Sequence, residues 1–114
     1  MRQSQVKITF LNGDVFEGDF KKDKIEGHGT HIYHCGGRYT GNWINGWKDE
    51  QGQMNYANGD VFKGNWKNGK KDGAGIFRYA NGLQYEGNWE KNKTVGEGLF
   101  ISENGRAFKG EWQE

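Results

Sequence analysis

The sequence has no proline, a single cysteine, few aliphatic side chains and no long apolar run. Each shortage excludes something. One cysteine, Cys35, rules out an intramolecular disulfide and fits a reducing compartment. No window approaches the ~18 consecutive apolar residues of a membrane helix. Met1 to Phe10 is polar and lacks the apolar run of a signal peptide. Charge of one sign is also missing: 16 basic and 15 acidic residues are mixed along the chain, for a net +1. Without a long basic run there is no electrostatic footprint for nucleic acid, so no nucleic-acid partner is expected. A cytoplasmic protein, not selected for its partner by bulk charge, is the reading these absences support.

What is present is glycine and aromatic rings. The 114 residues hold 20 glycines, where average usage near ~7% predicts about 8. Aromatics reach 15%. The mean hydropathy of −1.07 suits a disordered chain, but disordered segments are poor in rings. The rings also recur. Phe16-Glu17-Gly18-Asp19-Phe20, Tyr39-Thr40-Gly41-Asn42-Trp43, Phe62-Lys63-Gly64-Asn65-Trp66, Tyr85-Glu86-Gly87-Asn88-Trp89 and Phe108-Lys109-Gly110-Glu111-Trp112 follow one another at steps of 23 residues. A fixed period in this range marks a stacked repeat array.

Asn-Gly recurs with the same period at Asn12-Gly13, Asn58-Gly59, Asn81-Gly82 and Asn104-Gly105, with Cys35-Gly36 in the remaining copy. Asn-Gly favours a type I′ turn, so each is expected to close a hairpin. A second, wider turn is expected after each ring-Gly-ring strand. It contains a column of Asp23, Gly46, Gly69 and Asn92, residues that tolerate a left-handed backbone. Glu50 stands where the other copies have Gly27, Gly73 and Gly96, so the second copy is expected to differ locally. Return strands then carry His31, Met54, Phe77 and Phe100 in one column, and Tyr33, Tyr56, Tyr79 and Ser102 in the next. The count is about ten strands.

Alternation along each strand puts the two rings and the intervening glycine on one face, and charged or amide side chains on the other. The glycines are expected to form notches in which rings lie. The fold class is therefore all-β: an elongated, twisted, single-layer antiparallel sheet with one aromatic face. It forms a single domain, 1–114. Its units are a half repeat at 5–15, repeats at 16–38, 39–61, 62–84 and 85–107, and a partial repeat at 108–114. No helix or second sheet is encoded to cover the rings, and uncovered apolar surface marks an interaction site.

Catalytic and metal chemistry find little support. His28 and His34 lie ~20 Å apart along an extended strand, with His31 facing the other way. Zinc needs its ligands within ~2.3 Å of one point. Cys35 has no base held beside it. The Gly-rich segments precede strands, not the helix N-terminus that cradles phosphate. Neither an enzyme nor a cofactor is expected.

The third copy, from Phe62-Lys63-Gly64-Asn65-Trp66 through Gly69, Gly73 and Gly75 to Tyr79 and Asn81-Gly82, resembles the MORN (membrane occupation and recognition nexus) repeat. The likeness covers nearly the whole chain. Departures are Phe20 for the Trp, Glu50 for the Gly, and Cys35 for the Asn or Asp. The resemblance implies a sheet of hairpins that binds a helical or extended protein segment in an aromatic groove, as a scaffold in cytoskeletal, ciliary or flagellar assemblies. Candidate contact rings are Tyr39, Trp43, Tyr56, Phe62, Trp66, Tyr79, Tyr85 and Trp89, because Tyr and Trp dominate interface hot spots. An alternative is a peripheral membrane module in which Lys67, Lys70 and Lys71 meet anionic phospholipid at about 1 kcal/mol per residue. Homo-association through the two open edge strands is a further expectation. A carbohydrate- or choline-binding repeat also uses Gly and rings, but such proteins are secreted and carry Trp-Tyr-Tyr runs absent from this sequence.

Overall fold

The computed structural model describes residues 4–111. Trp112, the last ring of the fifth copy, lies outside them. Ten strands follow in order: β1 (Ser4–Thr9), β2 (Val15–Lys21), β3 (Lys24–Ile32), β4 (Arg38–Ile44), β5 (Trp47–Asn55), β6 (Val61–Lys67), β7 (Lys70–Arg78), β8 (Gln84–Glu90), β9 (Lys93–Ile101) and β10 (Ala107–Gly110). They form one antiparallel sheet in sequence order, and the described residues contain no helix. Ten strands spaced about 4.8 Å apart span about 43 Å, in line with extents of 47 × 25 × 23 Å.

The two kinds of turn are exchanged relative to the sequence expectation. The tight type I′ turns are Lys22-Asp23, Asn45-Gly46, Asn68-Gly69 and Lys91-Asn92, each with positive φ at both residues. Lys21 pairs with Lys24 across the first and Lys67 with Lys70 across the third, so only two residues intervene. The Asn12-Gly13 type is a three-residue loop. Gly13 donates to the Phe10 carbonyl at 3.0 Å, Phe10 donates to the Asp14 carbonyl at 2.8 Å, and Gly13 alone has positive φ. That is a type I turn closed by a left-handed glycine. The asparagine serves through its side chain: Asn12 Oδ1 accepts from the Asp14 N–H at 2.9 Å, as Asn58 Oδ1 does from Asp60. Such an Asx turn needs no positive φ at asparagine.

A register shift follows each tight turn. Gly41 faces Gly52 while Trp43 faces Lys48, so β5 carries two more residues than β4 between the paired positions. Glu50 sits in this bulge at φ 61°, the conformation that Gly27, Gly73 and Gly96 also adopt. The second copy therefore keeps the common backbone. The fourth copy is the variant one: its shift falls between Glu86 and Asn88 rather than between Gly and Trp.

The glycine pairs explain how a single layer buries a core. Gly64 faces Gly75 across β6 and β7. A Cβ at Gly75 would lie 2.5 Å from Phe62 Cζ, and one at Gly64 would lie 3.0 Å from the same atom. The ring of Phe62 thus lies flat over both glycines. Phe16 over Gly29 and Tyr39 over Gly52 repeat the arrangement. Each tryptophan then bridges two copies. Trp43 meets Tyr39 edge-on at 5.3 Å and Phe16 at 5.4 Å; Trp66 meets Phe62 at 5.4 Å and Tyr39 at 5.2 Å. Edge-to-face pairs contribute about 0.5–1.5 kcal/mol beyond area burial. The indole N–H of Trp43 donates to the Gly29 carbonyl and that of Trp66 to Gly52, both at 3.2 Å. Each copy is locked to the one before it, and stability sums over neighbours.

Candidate functional site

The wet face is occupied by ordinary cross-strand polar pairs such as Thr30 with Thr40, whose hydroxyl oxygens lie 3.2 Å apart. The aromatic face is layered. Phe16, Tyr39, Phe62 and Tyr85 form its floor at 0% exposure, with Trp43, Trp66 and Trp89 at 5%. Above them lie half-buried side chains of the return strands: Tyr33, Met54, Tyr56, Phe77 and Tyr79. These upper rings touch one another, with Tyr56–Phe77 centroids 5.8 Å apart and Phe77–Tyr79 centroids 4.7 Å apart. Among the described residues no second layer packs on them.

The eight candidate contact rings therefore divide. Tyr39, Trp43, Phe62, Trp66, Tyr85 and Trp89 lie in the floor, where removing a ring opens a cavity in the core. Tyr56 and Tyr79 lie at the surface of the same face. Burial and the nearby Asp60 carboxylate push the Tyr56 phenol up to about 12, so it stays a neutral hydrogen-bonding group at physiological pH. Tyr39 donates its hydroxyl to the Asn42 carbonyl at 3.1 Å, whereas the buried Tyr85 hydroxyl has no such acceptor among the described residues.

The candidate lipid lysines divide too. Lys67 and Lys70 are exposed and face each other across a tight turn on the wet side. Lys71 pairs with Trp66 and lies on the aromatic side. Its Nζ sits 5.1 Å from the Phe77 ring centre, 5.3 Å from Tyr56 and 5.4 Å from Phe62. Sequence reasoning missed its counterpart, Lys48, whose Nζ lies 5.4 Å from Tyr33 and Tyr39 and 5.3 Å from Trp66. Both ammonium groups are within cation–π range. The signal was available: Lys48 and Lys71 occupy one column of the repeat. It was hidden by assigning them to a wide turn.

One polar cluster lies at the N-terminal end. The expectation that His31 and His34 point apart is corrected, because His34 belongs to a turn where alternation lapses. His31 Nε2 lies 3.0 Å from Asp14 Oδ2, and His34 Nδ1 lies 2.9 Å from Asp14 Oδ1, which also accepts from the His34 N–H at 2.8 Å. The His31 hydrogen bond, then those of His34, hold the Asp14 carboxyl well below the usual carboxylate range. Among the described residues no group of three or more His, Cys, Asp or Glu side chains is placed to hold a metal ion. Nor is any described helix long and apolar enough to cross a membrane.

Fold and site together define an open array of hairpins built on ring-over-glycine notches. The MORN repeat family profile matches residues 16–38, 39–61, 62–84 and 85–105, and the chain belongs to that family. No curated protein matches the chain significantly. Among solved structures, it is similar to the TCP domain of SAS-4 (dCPAP) of Drosophila melanogaster, determined in complex with a proline-rich motif of Ana2 (dSTIL). The identity is 13%, the match covers 92% of this chain and 70% of that one, and the TM-score is 0.50. At that identity the likeness is one of fold.

Proposed function

We propose that this protein is a non-enzymatic scaffold that binds a protein segment along its aromatic face, within a cytoskeletal, ciliary or flagellar assembly of the cytoplasm. The observation that carries the reading is the layered face: a buried ring floor with half-exposed Tyr33, Tyr56, Phe77 and Tyr79 above it and no second layer among the described residues covering them. An uncovered patch rich in Tyr is the composition of interface hot spots. The SAS-4 TCP domain, a fold neighbour determined in complex with a proline-rich motif, supports segment binding as the mode. In the present chain the contact role passes to Tyr56 and Tyr79, with the six floor rings holding them in place.

The test is affinity capture from native extract, comparing the natural chain with Tyr56→Ser combined with Tyr79→Ser. Both rings are half-exposed, so the double variant should keep its circular dichroism. It should lose at least tenfold of the captured partner. Equal recovery by both proteins would remove the aromatic face from the binding surface.

A further inference from the structure

Two lysines on the aromatic face lack something that buried cations usually have. Lys48 and Lys71 each sit beneath or beside three rings, and burial pushes both ammonium groups down in pKa, with the charge of Lys71 adding to the effect at Lys48. Among the described residues the ion pairs are those of Asp14 with His31 and His34, so neither lysine has a carboxylate partner. Nearby acids are engaged elsewhere: Asp49 accepts from the Asn68 N–H and Asp72 from the Lys91 N–H, each at 3.4 Å at the tight-turn edge. The pairing is confined to the middle of the array, since the same column holds Ile25 and Thr94 in the outer copies.

Ring faces satisfy an ammonium group only in part. Each still has three N–H donors to direct. Two like charges held half-desolvated on one apolar face favour an incoming anion. Building on the segment-binding reading above, we propose that the occupant is an acidic protein segment whose carboxylates lie against the Lys48 and Lys71 ammonium groups while its apolar side chains rest on Tyr56 and Tyr79. The two lysines stand on β5 and β7, two ladder steps or about 9.5 Å apart, so the segment crosses the strands with acids at about that separation. A flat lipid surface fits less well. Lys67 and Lys70 point to the opposite side of the sheet and cannot join Lys71 on one plane. Among the described residues no arginine fork suited to phosphate stands beside them: Arg38 and Arg78 pair with Asn55 and Val61, out of phase with the ring positions.

Selection from a library of random displayed peptides tests this with the full chain. The natural protein should enrich peptides rich in Asp and Glu among apolar residues. Their binding should weaken about tenfold between low and physiological salt. Lys48→Met with Lys71→Met, which keeps the stems over the rings, should lose those peptides and the salt dependence while still melting cooperatively. Lys48→Arg with Lys71→Arg should retain them. Peptides that depend on Tyr56 and Tyr79 but carry no excess of acids, or that bind the Met variant equally, would overturn the acidic assignment and leave segment binding intact. Peptides indifferent to Tyr56→Ser with Tyr79→Ser would overturn both. Basic peptides, or phosphatidylserine vesicles bound through Lys48 and Lys71 in place of any peptide, would also overturn it.

Discussion

Repeats one (16–38) and three (62–84) are the same device finished in two ways. Both lay a phenylalanine, Phe16 or Phe62, over a facing glycine pair. In both, the loop aspartate just before the repeat accepts the amide of the residue 20 positions on: Asp14 from His34 and Asp60 from Ala80, each at 2.8 Å. They then diverge. Repeat three carries Phe77 and Ala80 in its return strand and loop, and Lys71 on its rings. Repeat one has His31, His34 and Ile25 in those positions, and its aspartate is clamped by two imidazoles. His31 nevertheless packs as a ring, stacked on Phe10 at 5.6 Å and on Trp43 at 6.1 Å. The ring column thus tolerates a change of chemistry if a flat side chain remains, whereas the glycine notch is the same in both copies.

That contrast is broken most severely at the notch. In Gly29→Ala the new Cβ would meet Phe16 Cζ at 2.4 Å, and in Gly75→Ala it would meet Phe62 Cζ at 2.5 Å. Neither glycine has positive φ, so the penalty is steric. The ring must leave its seat, and each variant should lose about 3 kcal/mol, the upper end for overpacking. Chemical denaturation of the two variants should give equal losses. A near-neutral result at either site would mean that its ring does not lie over the glycines.

The aspartate clamp should separate the repeats by pH. The Asp14 carboxyl is depressed in the folded chain, so its contribution is fully present above its unfolded value of about 3.9 and is lost as pH falls below that toward the folded value. Asp14→Asn should therefore lower the melting temperature at neutral pH and flatten the fall in stability between about pH 4 and pH 2. Thermal melts across that range read both effects. An unchanged acid slope in Asp14→Asn would show that the imidazoles do not set the acid response of this junction.

Much of this architecture was legible because period and parity are physical. A 23-residue step with rings two apart allows one face, and the strand order, class and ring-on-glycine packing follow from it. The turns were less legible because Asn-Gly occurs in both turn columns: Asn45-Gly46 and Asn68-Gly69 take the tight turn, Asn58-Gly59 and Asn81-Gly82 the looser one. The dipeptide alone does not decide; the acceptor role of the asparagine side chain does. Misplacing the tight turn also moved Lys71 off the aromatic strand and concealed Lys48. Depth was not legible at all. Alternation assigns a face, yet Tyr39 and Tyr56 share a face and differ in whether a partner can reach them.

The finest distinction among the copies lies in repeat two, whose bulge carries Glu50 at φ 61° where repeats one and three have Gly27 and Gly73 at φ 106° and 100°. A residue with a Cβ loses about 1–2 kcal/mol in the left-handed region. Glu50→Gly removes that strain but frees the unfolded chain, at about 0.4–1 kcal/mol in the opposite direction. The difference leaves a gain of about 0.6–1 kcal/mol. The side chain is exposed, and Glu50 pairs with Trp66 through the ladder, which glycine preserves. Denaturation midpoints of Glu50→Gly and the natural chain resolve the shift. A loss instead of a gain would mean that the Glu50 side chain, and not the backbone alone, holds the bulge of repeat two in register.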